Sequence, residues 1–250
     1  MADHTKAKST KSRKIWKIVL KEVCRLLLIK VGKKEHIELL QQGSIHLNPL
    51  SRFRNDGTAY RGDVLEGTYR VDTSRGIFIN GVDISKFGTG LEVTQSYQHS
   101  DDILIFCAAV LDGTTTIKKV KDGEQFRELN PVFLEELKKF GTHAVMFRSE
   151  HLAASLFNYL KSRNCNYGHC RVEYIDKWDF EAVGAYIRRK EAQLGDEAIY
   201  FLKDIAYKSQ NEWRFLIECF DDISNIVKNQ DGSLDVMTAP FPTSDIIELG

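Results

Sequence analysis

Ile103 to Leu111, ILIFCAAVL, is nine consecutive residues with no charge, no proline and no glycine. A run that uniform does not suit a strand with one wet face, and it is far short of the roughly 20 residues a membrane helix needs. It predicts a central strand covered on both sides, with Asp112-Gly113 turning the chain at its end. The rest of the fold must supply two layers to cover it.

The flanking sequence reads as short elements. Lys33 to Gln42 predicts a helix ended by Gly43, and Ser44 to Leu47 a short strand stopped by Pro49. Thr68 to Asp72, Gly76 to Ile79 and Leu91 to Ser96 read as strands, with Asn80-Gly81 as a hairpin turn returning through Val82 to Ile84. Residues 112–130 are less apolar and read as a loop. Asn130 and Pro131 open a helix to Phe140, with asparagine as the cap and proline in the first turn. His143 to Phe147 and Cys170 to Ile175 read as strands, Glu150 to Ser162 and Phe180 to Gln193 as helices. Val236 to Ala239 and Asp245 to Leu249 close the chain as strands. Strands and helices do not alternate regularly. The pattern predicts an α+β fold of mostly antiparallel sheets with several interspersed helices, in a single domain over residues 14–250.

Composition agrees. Of 250 residues, 42% are apolar and 28% charged, and only four are proline, which leaves a sizeable core and no long linker. No apolar run is long enough for a membrane helix, and the N-terminus lacks the apolar stretch of a secretory signal. Five cysteines, Cys24, Cys107, Cys165, Cys170 and Cys219, contain no C-x-x-C pair. They read as free thiols in a reducing cytoplasm, with no metal site.

Net charge is zero but unevenly spread. Residues 1–34 hold 11 Lys/Arg and two acids, leaving 24 basic and 33 acidic residues in the rest. Residues 1–13 have the composition of a disordered basic tail. Such a tail serves solubility or contacts nucleic acid, an anionic surface or the acidic body of the protein. Residues 14–29 fit an amphipathic helix, with Lys14, Lys17, Lys21 and Arg25 opposite Trp16, Val19 and Val23; Leu26 to Val31 fit a first buried strand equally well.

Two clusters carry chemistry. The first is the loop holding Arg52, Arg54, Arg61, Asp63 and Glu66. Arginine binds phosphate bidentately, and Gly62 and Gly67 allow tight turns. The plain alternative is a salt-bridged turn. The second is Lys203, Tyr207, Gln210, Glu212 and Arg214, at the mouth of the apolar strand FLIECF. Glu212 and Arg214 are two apart, so they share one face of a strand. Glu212 there could polarise a hydroxyl or take a proton, with Arg214 orienting it and Tyr207 and Gln210 binding a ribose or base. The plain alternative is a Glu212–Arg214 pair that only closes the sheet. No phosphate-binding loop, G-x-G-x-x-G or G-x-S-x-G is present.

The segments LLQQGSIHLNPLSRFR, RGDVLEG and KDIAYKSQNEWRF, between residues 27 and 220, resemble a domain-of-unknown-function family of uncharacterised bacterial proteins. Its C-terminal signature, Lys-x-x-x-Tyr-x-x-x-x-Glu-x-Arg, falls on Lys203, Tyr207, Glu212 and Arg214. The order of elements is distantly similar to ADP-ribosyltransferase-like domains. That resemblance implies a late glutamate, here Glu212, that polarises a ribose hydroxyl of NAD as substrate, and a basic residue on an early strand, here His46 or Arg54. The expectation is a cytoplasmic enzyme acting on a nucleotide or NAD-like substrate, in a toxin or phage-defence setting. Two alternatives stand beside it. One is metal-dependent phosphodiester cleavage with Asp63, Glu66 and Glu212 as Mg²⁺ ligands. The other is a non-catalytic module that binds a ligand or partner.

Overall fold

The computed structural model describes residues 25–58, 60, 62–71, 78–79, 82–83, 93–96, 103–163, 165–219 and 226–250. In chain order the elements are β1 (Leu27–Gly32), α1 (Lys34–Gln41), β2 (Ser44–Pro49), α2 (Leu50–Asn55), β3 (Thr68–Val71), β4 (Phe78–Ile79), β5 (Val82–Asp83), β6 (Val93–Ser96), β7 (Ile103–Leu111), β8 (Thr116–Lys121), β9 (Glu124–Leu129) and α3 (Pro131–Lys138). There follow β10 (His143–Arg148), α4 (Ser149–Leu160), β11 (Cys165–Arg171), β12 (Glu173–Ile175), α5 (Phe180–Leu194), a 3₁₀ segment (Gly195–Phe201), β13 (Leu202–Asp204), a second 3₁₀ segment (Ile205–Gln210), β14 (Glu212–Cys219), β15 (Leu234–Met237) and β16 (Ile247–Glu248).

The nine-residue β7 is central. It pairs antiparallel with β14 on one flank; on the other it meets β1 at one end and β2 at the other. The sheet runs β11-β14-β7-β1-β10-β16, with β15 added beyond β2. Every pairing in it is antiparallel. The fold is α+β with mostly antiparallel sheets.

The period of two along β7 and β14 sorts the core into layers. Leu104, Phe106 and Val110 join Trp213, Phe215 and Ile217 against α4. Ile103, Ile105 and Leu216 face the opposite layer, with Tyr186 of α5 and Tyr200 of the first 3₁₀ segment. Glu212 and Arg214 share parity with Leu216, so they enter this second layer rather than the aromatic one.

Several expectations change. Leu27–Gly32 is a strand; the helical alternative for residues 14–24, like the tail at 1–13, falls outside the described residues. Residues 112–130 are not a loop: Thr116–Lys121 and Glu124–Leu129 pair as a hairpin. Its turn is Asp122-Gly123, both with positive φ (53° and 83°), the geometry a two-residue hairpin turn needs. The strand expected over Cys170–Ile175 divides at Val172, whose N–H turns to the Glu212 carbonyl. The turn at Asn80-Gly81 is outside the described residues, yet its flanks pair in hairpin register, Phe78 with Asp83 and Ile79 with Val82. Among the described residues no helix is long and apolar enough to cross a membrane.

Candidate functional site: a buried ionic centre

Two local structures aim charged side chains into the second layer. The first is the 62–67 turn. Asp63 accepts from the Leu65 N–H (2.9 Å) through its side chain and from the Glu66 N–H (2.8 Å) through its carbonyl. Gly67 then takes φ +66°, where a Cβ would lie 2.3 Å from Leu50 Cδ2. The turn drives Glu66 inward until it is fully buried. The second is the start of β14. Asn211 adopts the left-handed conformation (φ 46°) and both donates to and accepts from the backbone of Val110, each at 2.8 Å. This sets Glu212 opposite Ala109.

Arg214 joins the two. Its Nε donates to Glu212 Oε1 (2.5 Å), while Nη1 and Nη2 donate to the two oxygens of Glu66 (2.6 and 2.9 Å). Nη1 also donates to the Tyr200 carbonyl (2.7 Å). The guanidinium is fully buried and its fork matches the Glu66 carboxylate. Lys203 Nζ donates to Glu212 Oε2 (3.1 Å) and to Gln210 Oε1 (2.7 Å), and stands 3.9 Å from Glu66 Oε2. Beside them Lys177, also fully buried, donates to Asp63 Oδ2 (3.1 Å) and to the Leu65 carbonyl (2.6 Å). Three carboxylates thus meet three cations. Burial of single charges is costly, and here each is matched and hydrogen-bonded.

The electrostatics follow. Burial opposes ionisation of Glu212, but Arg214 and Lys203 outweigh it and hold its carboxyl well below the usual range. Burial works against the charge on Lys203 too, and Glu212 and Glu66 more than compensate, raising its pKa. Burial and the neighbouring Glu212 push the Cys107 thiol and the Tyr174 hydroxyl up, so both stay neutral. Tyr174 accepts from the Glu212 N–H (2.7 Å).

These directions give a pH prediction. Glu212 has a depressed folded pKa, so its contribution is complete above the ordinary value of 4.5 and is lost as pH falls below it. Lys203 has a raised folded pKa, so its contribution is complete below 10.5 and is lost as pH rises above it. Urea midpoints measured from pH 3 to 11 are expected to form a plateau that declines on both sides. A midpoint that holds level from pH 5 to 3 would contradict the Glu212 assignment.

The structure brings together seven of the ten residues singled out from sequence: Asp63, Glu66, Lys203, Tyr207, Gln210, Glu212 and Arg214. Tyr207 is half-buried above Lys203, whose Nζ lies 5.0 Å from its ring centroid, and its hydroxyl donates to the Gly62 carbonyl. Gln210 Nε2 donates to the Tyr60 carbonyl (2.5 Å). Three do not join. Arg52 lies exposed on α2, bonded to Asn48 (2.9 Å) and Asp231 (3.5 Å). Arg54, on the same helix, makes none of the bonds that build the centre, and Arg61 lies outside the described residues. Nor does His46 reach Glu212. Its strand, β2, lies on the flank of β7 opposite β14, which carries Glu212. His46 bonds Asp235 instead, at 2.8 Å. An early basic partner for Glu212 is supplied by neither His46 nor Arg54.

Lys177, Tyr174 and Cys107 escaped the sequence reading. Lys177 sits in a polar segment, IDKWDF, with nothing local to mark a buried charge. Cys107 could have been found by register, since a central strand beside FLIECF brings one of its residues against Arg214.

The donor set does not fit Mg²⁺. Asp63 is taken by Lys177, Glu66 by Arg214, and Glu212 by Arg214 and Lys203. Among the described residues no group of three His, Cys, Asp or Glu side chains could hold a metal. Cys165 and His169 face the aromatic layer while Cys170 packs against the opposite one, so these three side chains do not gather into a metal site either.

What the centre can offer is the ionised carboxylate of Glu212, its charge matched by Arg214 and Lys203. Glu212 is a hydrogen-bond acceptor held ionised, which suits it to stabilise developing positive charge and makes it a poor proton acceptor. Comparison with family models, with curated proteins and with solved structures finds no match to this chain.

Proposed function

We propose that the protein recognises a nucleotide or NAD-like molecule at the rim of the ionic centre, in the manner of ADP-ribosyltransferase-like proteins, with Glu212 as a fixed charge rather than a general base. The observation that carries this reading is the meeting of the two clusters: Glu66 and Arg214 are 148 residues apart and bond through both terminal guanidinium nitrogens. The rim above them combines the Tyr207 ring and the Gln210 amide with the backbone of Tyr60 and Gly62, groups suited to a base and a ribose. A ribose hydroxyl reaching Glu212 would meet an ionised acceptor, the arrangement that favours positive charge at the neighbouring anomeric carbon. The basic N-terminal 34 residues extend the same reading to contact with nucleic acid or an anionic surface in the cytoplasm.

The test is nicotinamide release from NAD⁺ by the full chain, with calorimetry of NAD⁺ and ADP binding. Glu212→Gln, nearly isosteric, is expected to lower release by about 100-fold or more while circular dichroism shows it folded. Absence of binding by either nucleotide would end this reading.

A second reading rests on saturation. The Glu212 side chain is 7% exposed, and each of its oxygens is already held by a cation, at 2.5 and 3.1 Å. In this reading the centre is a structural joint and the protein is a non-catalytic binding module. Nucleotide binding without nicotinamide release, unchanged in Glu212→Gln, would select it.

A further inference from the structure

The hairpin of β8 and β9 overhangs a cavity of about 630 Å³ that shares no lining residue with the ionic centre. Its floor is sheet, including Ile29, Leu111 and Met146; the hairpin contributes Thr116, Arg127 and Leu129. The volume is within the range of small-molecule sites, roughly 300–1,000 Å³, and the lining is mainly apolar.

The charges above it are arranged against the hairpin's own stability. Lys118 stands directly opposite Arg127 across the two strands. Alternation puts both on the face that carries Thr116 and Leu129, which is the cavity face. Like charges directly opposed on one face destabilise a strand pair. This pair has little burial to offset the cost, since the strands are exposed over most of their length. Among the described residues neither cation has a carboxylate partner. Arg127 donates to Thr116 Oγ1 (2.8 Å), and the hairpin's ion pair, Lys119 with Glu128 at 3.9 Å, is on the other face. Asp112, at the cavity edge, is already engaged: Arg171 holds it at 2.7 Å and Thr114 donates to it. Burial opposes its ionisation, but the hydrogen bonds from Thr114 and the charge of Arg171 outweigh this and lower its pKa to about 2. The site therefore offers two uncompensated positive charges beside an apolar hollow.

We propose that the cavity binds an amphipathic anion, its apolar body against Ile29, Leu111 and Met146 and its carboxylate or phosphate head between Lys118 and Arg127. The ligand would remove the cation–cation repulsion and cover the apolar floor in one step, which couples its binding to the order of the hairpin.

Calorimetry on the full chain, with probes kept below their micelle concentrations, tests this. Decanoate and decyl phosphate supply the two head groups, decanol and decylamine the controls. At least one anion is expected to bind, with decanol at least tenfold weaker and decylamine undetected. The ratio of decanoate to decyl phosphate affinity identifies the head group preferred. The double variant Lys118→Ala/Arg127→Ala, whose side chains are exposed, is expected to lose tenfold or more, and Lys119→Ala on the opposite face to bind as the parent does. Equal affinity for decanol and the anions, unchanged binding by the double variant, or no binding of either anion would overturn the proposal.

Discussion

Arg214→Met is expected to remove about 3–5 kcal/mol from the free energy of unfolding, the range found when one member of a buried ion pair is deleted. Methionine fills much of the arginine stem's volume, so the loss comes chiefly from charge. Glu66, fully buried, would lose both of its guanidinium bonds, and Glu212 would keep Lys203 as its one cation. The Tyr200 carbonyl would lose a donor as well. Against a typical total stability of about 5–15 kcal/mol, such a variant sits near the edge of folding. Urea denaturation at pH 7 measures the effect. Adding Glu66→Gln to Arg214→Met removes the stranded carboxylate and is expected to recover part of the loss. A cost below about 1 kcal/mol for Arg214→Met, the size of an exposed pair, would mean that the centre is wetter than its burial implies.

Lys177→Met is expected to be the second costly change, at about 3 kcal/mol. Lys177 is fully buried and serves two acceptors of the 62–67 turn, the Asp63 carboxylate and the Leu65 carbonyl. Without it Asp63, 3% exposed, is a buried charge with no cation, and the turn that aims Glu66 loses its anchor. The effect should therefore spread: Lys177→Met is expected to weaken the Glu66–Arg214 pair as well. Asp63→Asn placed on top of it leaves a neutral group that still caps the Leu65 N–H, and should restore part of the thermal midpoint. If Lys177→Met alone leaves the midpoint within about 2 °C of the parent, a shift of about 1 kcal/mol or less for a chain of this size, the anchoring role is wrong.

What could be read from the sequence followed what is local. ILIFCAAVL announces a central strand because only burial on both faces tolerates so uniform a run, and β7 is that strand. Glu212 and Arg214 share a face because strand side chains alternate, and the Arg214 Nε bond to Glu212 follows. The β8–β9 hairpin was hidden because its strands are charged and exposed; only Asp122-Gly123 marked it. Long-range partnerships carried no local mark. Arg52 looked like an anion binder from the density of charge around it, but helix α2 turns it toward Asp231. Nothing local marks Lys177, whose burial depends on a turn more than 100 residues away. The sequence clusters around Glu66 and Glu212 were visible separately; that one guanidinium joins them is a property of the folded sheet.

The claim that these two clusters form a single centre is tested most directly by a double-mutant cycle on Glu66→Gln and Arg214→Met, with urea unfolding of the parent, both single variants and the double variant at pH 7. A direct bidentate pair predicts that the double variant is more stable than the sum of the single losses by about 2 kcal/mol or more. Losses that add to within about 0.5 kcal/mol would mean that Glu66 and Arg214 do not interact, and would contradict the account at its base.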